Sequence, residues 1–64
     1  MFTDSDIIFM KTLGVNANFD NPSDDDLVEI EDKVSEKLIK SGFDKKYVIT
    51  RIGKKCESIL DKLP

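Results

Sequence analysis

Towards the end of the chain the apolar residues recur three and four positions apart: Val48, Ile49, Ile52, Cys56, Ile59, Leu60 and Leu63. On a helical wheel they fall within about 120°, the stripe of an amphipathic helix. The spacing predicts a helix over about 45–62, with Asp44 as its N-cap and Phe43 and Val48 in the two positions of a hydrophobic staple. Gly53 borders the stripe, where it costs about 1 kcal/mol relative to alanine and lets another helix come close. Cys56 lies mid-stripe and reads as a small buried hydrophobe.

A second stripe consists of Leu27, Ile30, Val34 and Leu38, within about 80° on the wheel, with Val28 and Ile39 widening it on one side. It predicts a helix over about 23–41. Either Asn21 caps it with Pro22 in the first helical position, or Ser23 caps it with Asp26 completing a capping box. Gly42 ends it, and Glu29–Lys33 and Glu36–Lys40 are spaced as i,i+4 pairs.

The first helix is predicted over about 4–13. Thr3 fits the N-cap, Asp6 the capping-box position, Phe2 and Ile7 the staple, and Gly14 the C-terminal turn. Its apolar residues, Ile7, Ile8, Phe9, Met10 and Leu13, point in nearly every direction around the axis. Such a helix needs cover on more than one side. Either the loop over 14–23 folds across it with Val15 and Phe19, or an apolar patch stays exposed.

These elements make an all-α, three-helix bundle, a single domain over 1–64, whose second and third helices are helix-turn-helix-like. Leu38-Ile39-Lys40-Ser41-Gly42-Phe43 followed by a helix through Tyr47 to Ile52 resembles the helix-Gly-Phe-helix hairpin of ubiquitin-associated domains and of RecX-type recombination-regulator repeats. The likeness covers a stop glycine, a packing phenylalanine and two apolar stripes, and it implies a hairpin but no functional residue.

Sixty-four residues bury only about 60% of the surface their unfolded chain exposes, so helix packing or association has to stabilise the fold. One cysteine and no histidine exclude an internal disulfide and a Cys/His zinc site. The absence of histidine also removes the commonest general base and the Ser-His and Cys-His nucleophile pairs. Asn16, Asn18 and Asp20 alternate like calcium ligands, but Asn21 and Leu27 stand where such a loop needs Gly and a bidentate Glu. The expectation is therefore no enzyme, no cofactor and no metal. No leader or membrane-spanning run is recognised, so the setting is expected to be cytoplasmic, with no membrane partner.

Charge is divided along the chain. Residues 1–32 hold nine acids and one base, whereas residues 33–64 hold four acids and nine bases, for a net −3. Acids at the start of the second helix and lysines towards its end suit the helix dipole and account for part of this. On the third helix Tyr47, Arg51, Lys54, Lys55, Ser58 and Lys62 form an outer arc without an acid, preceded by Lys45 and Lys46 where the dipole disfavours cations.

The leading expectation is a non-enzymatic interaction module. It would present Ile8, Phe9 and Met10 of the first helix, with Tyr47, to a protein partner or to its own copy. The alternative is a nucleic-acid-associated accessory protein using Lys45, Lys46, Arg51, Lys54 and Lys55 against phosphates, less favoured at a pI near 4.7. A third is an acidic mimic of nucleic acid presenting residues 20–32.

Overall fold

The computed structural model describes residues 2–63 and contains three helices: α1 (Asp4–Thr12), α2 (Asp24–Ser41) and α3 (Arg51–Asp61). They form a small all-α bundle in which α2 and α3 pack against each other. Among the described residues there is no β-strand, only an isolated antiparallel bridge between Phe43 and Ile49. Among the described residues no helix is long and apolar enough to cross a membrane.

The first two helices start as their sequences dictate. The Thr3 side chain accepts from the Asp6 amide, and the Asp6 carboxylate accepts from the Thr3 amide, both at 3.1 Å. Ser23 and Asp26 make the same reciprocal pair, again at 3.1 Å, so Ser23 rather than Asn21 is the cap of α2. α1 closes in a Schellman turn: the Val15 amide donates to Met10 and the Gly14 amide to Lys11, each at 3.1 Å. Gly14 takes the left-handed backbone this turn requires, at φ 86°.

The buried core consists of Met10, Val15, Ile30, Val34, Cys56 and Ile59. Phe2, Ile7, Phe9, Leu13, Phe19, Leu38, Leu60 and Leu63 pack around it, half-buried. Of the two arrangements open to the apolar first helix, the loop folds across it. Val15 is buried, and the Phe19 ring meets Phe2 edge-on at 6.5 Å between centroids. The loop is fastened to α2 by its acids: Glu29 accepts from the Asn16 amide at 2.8 Å and Asp26 from the Asn18 amide at 3.3 Å. Asn18 itself accepts from Asp20 and Asn21 in an Asx-type turn. Glu29 thus binds backbone, while the expected Glu36–Lys40 pair forms at 2.5 Å.

The third helix departs from expectation. It begins at Arg51, not near residue 45, and its cap is Thr50, whose hydroxyl accepts from the Gly53 amide at 3.0 Å. Residues 44–48 form a tight three-residue hairpin turn instead. The Asp44 amide donates to Val48 at 3.0 Å, and the Tyr47 amide to Asp44 at 3.0 Å. The Asp44 carboxylate accepts from the amides of Lys46, at 2.8 Å, and Val48, at 3.0 Å. Asp44 is a turn residue, and the Phe43/Val48 staple does not form; both side chains are exposed. The short Gly-Phe connection implied by the likeness to other helical hairpins is replaced by residues 42–50.

This connection is anchored at its base. The Thr50 amide donates to Gly42 at 2.8 Å and its hydroxyl to Ser41 at 2.9 Å. A Cβ on Gly53 would overlap the Gly42 carbonyl oxygen and stand 2.7 Å from Ile49 Cγ1. Gly53 is the close-approach position its place beside the stripe predicted.

Candidate interaction surface

Seven large hydrophobic side chains are exposed among the described residues: Ile8, Val28, Ile39, Phe43, Tyr47, Val48 and Ile52. Five of them fall between residues 39 and 52, around the end of α2, the hairpin turn and the start of α3. The apolar excess of this chain is therefore at the α2–α3 tip rather than along α1.

On α1, Ile8 is exposed, Phe9 is half-buried, and Met10 is fully buried in the core. Met10 cannot meet a partner, and the expected α1 patch shrinks to Ile8. Tyr47, expected on the third helix, sits at the third position of the hairpin turn with φ 62°. Left-handed backbone is unusual for any residue but glycine or asparagine and strained for a bulky one. Its side chain is 88% exposed.

The basic residues separate into two groups. Lys45 and Lys46 lie in the turn beside Tyr47, and Arg51 and Lys54 occupy the first turn of α3; all four are exposed. No acid stands in that first turn to match the helix dipole. Lys55 instead turns to α1: its ammonium lies 2.5 Å from Asp6 Oδ1 and 3.1 Å from Ser5 Oγ. Lys62 binds the other Asp6 oxygen. Asp6 is 1% exposed. Burial alone would push its carboxyl up, but hydrogen bonds from Lys55, Lys62 and the Thr3 amide outweigh that and hold it well below the usual carboxylate range. Periodicity gave no sign of this cluster, and the sequence marked Asp6 only as the capping-box acid of α1.

The acidic side is partly committed to structure as well. The Ser23 and Asn18 amides hold the Asp26 carboxyl below its ordinary range. Burial pushes the Cys56 thiol up, which leaves it protonated and inert. Two shallow concavities, about 320 Å³ and 270 Å³, are both open to solvent. Leu13, Lys33, Glu36, Lys37 and Lys40 line the first; Glu31, Ser35, Leu60 and Leu63 line the second. Among the described residues no three His, Cys, Asp or Glu side chains gather as metal ligands would.

No protein-family model, curated protein or solved structure matches the chain.

Proposed function

We propose that this chain is a non-enzymatic protein-interaction module whose working surface is the α2–α3 tip, residues 39–54. The observation that carries the reading is the occurrence of five of seven exposed large hydrophobics in that segment, alongside exposed Lys45, Lys46, Arg51 and Lys54. Apolar side chains exposed together with charged ones are the composition of a protein-binding patch. Both concavities are shallow and open, which supports contact rather than chemistry as the activity. A cytoplasmic setting belongs to the same reading, since the lone cysteine can make no internal disulfide.

A photo-crosslinking residue at Val48 tests it. The expected result is a saturable cross-link to a protein, absent when the same probe replaces Ser58 on the exposed side of α3. Equal cross-linking from both positions, or none, would remove the reading. If the product is a dimer of this chain, the partner is its own copy.

The exposure of Lys45, Lys46, Arg51 and Lys54 beside Tyr47 supports nucleic-acid association as the second reading. It requires affinity for a mixed-sequence duplex that falls steeply with salt, with shifts confined to residues 45–55. Lys55 contributes less to that face, because Asp6 and Ser5 hold its ammonium.

A further inference from the structure

We infer that Tyr47 is the anchor of this surface and that the surface takes an acidic, amphipathic protein segment; the inference rests on the reading just given. Three positions at the tip hold residues that the fold itself disfavours. The third position of a three-residue hairpin turn is left-handed and suits glycine. A tyrosine stands there at φ 62°, with its ring in solvent, so packing within the chain does not repay the strain. Arg51 and Lys54 occupy the first turn of α3, where acids would be stabilised and cations are not. Residues that oppose local stability without internal compensation mark a surface selected for contact.

The turn also preorganises its tyrosine. Tyr47 is gripped between the Asp44 carbonyl, which accepts its amide, and the Val48 amide, which the Asp44 carboxylate holds. A tyrosine whose main chain is already fixed in a turn loses little backbone freedom on binding, and tyrosine is among the residue types that most often dominate an interface.

Charge sets the partner. Between residues 42 and 54 the only acid is Asp44, and its carboxylate is occupied by the amides of Lys46 and Val48. Lys45, Lys46, Arg51 and Lys54 are exposed in the same segment as Phe43, Tyr47, Val48 and Ile52, so the tip carries an excess of positive charge beside its apolar side chains. A second copy docked tip to tip would bring these cations together, which is unfavourable. Phe43 and Tyr47 offer faces on which bases can stack, whereas Val48 and Ile52 match only apolar side chains, which a protein segment supplies and a nucleic acid does not. Acids interleaved with apolar residues match both the cations and the apolar side chains.

The test is a titration of the isotope-labelled protein with a helical peptide bearing leucines on one face and glutamates on the other. An oligoglutamate of equal length, a thymidine oligonucleotide and phosphatidylserine vesicles serve as comparisons. The amphipathic peptide should move resonances of residues 39–54 and bind more tightly than oligoglutamate. Tyr47→Gly should weaken it by about tenfold or more, while the unfolding midpoint holds or rises. Unchanged affinity in that variant, or oligoglutamate binding equally well, would overturn the inference. So would a response to the oligonucleotide or the vesicles alone. A saturable protein cross-link at Val48 alongside a failed peptide titration would remove this partner class and leave the broader reading standing.

Discussion

Asp6 Oδ1, on α1, lies 2.5 Å from the Lys55 ammonium, on α3, while the other carboxylate oxygen holds Lys62. One buried acid thus ties the first helix to the last, and the fold closes on an electrostatic strap as well as on its core. Asp6→Asn keeps the shape and removes the charge. It should lower stability by about 2–3 kcal/mol, the range for losing charge-assisted hydrogen bonds whose partly exposed partners can turn to water. Urea unfolding at neutral pH measures it.

The same strap fixes a pH dependence. The folded-state pKa of Asp6 is lowered, so its contribution is complete above the unfolded value of about 3.9 and is lost as pH falls through the folded one. The wild type should therefore lose stability below about pH 4 more steeply than Asp6→Asn, and the two should converge in strong acid. Parallel curves would show that Asp6 is not the group responsible.

Gly53→Ala opposes two effects. Helix propensity favours alanine by about 1 kcal/mol, but the new methyl overlaps the Gly42 carbonyl. Separating α2 from α3 at that point should dominate, for a net loss of about 1–3 kcal/mol. A gain in thermal midpoint would mean the two segments part easily.

Tyr47→Gly should act in the reverse sense on stability. It relieves about 1–2 kcal/mol of left-handed strain and adds about 0.5–1 kcal/mol of chain entropy to be lost on folding. The expected net gain is about 0.5 kcal/mol, read from the denaturant midpoint. Arg51→Glu should add a similar few tenths, because it places an acid at the start of α3.

Cys56 is fully buried, and burial raises its thiol pKa. A thiol reagent should label it at the rate at which the bundle opens, and fully in denaturant. Rapid labelling of the folded protein would contradict a closed core.

Much of the bundle was legible in the sequence because α1 and α2 carry their own punctuation: Thr3 with Asp6, Ser23 with Asp26, Gly14, Gly42. Burial of Cys56 and Ile59 followed from the 3.6-residue period. The region around residues 43–50 was not legible, for two physical reasons. Asp44 offers the same carboxylate to a helix cap and to a turn, and the glycine that usually announces such a turn is a tyrosine here. The period of Val48, Ile49 and Ile52 then continued the helical stripe backwards into a segment that never becomes helical. The lysines of α3 were misplaced because a wheel shows direction but not reach: Lys55 and Lys62 lean towards Asp6.

α2 begins with Asp24, Asp25 and Asp26 and leads into the turn that carries Lys45 and Lys46, so opposite charges are separated by about the 27 Å length of an eighteen-residue helix. The molecule is in effect a small permanent electric dipole, its negative pole at one end and its apolar tip at the positive pole. In the field of a charged neighbour it experiences a torque before it touches anything, out to roughly the Debye length of about 8 Å at physiological salt. An acidic neighbour therefore meets the tip first, and adding salt slows its arrival before it weakens the contact.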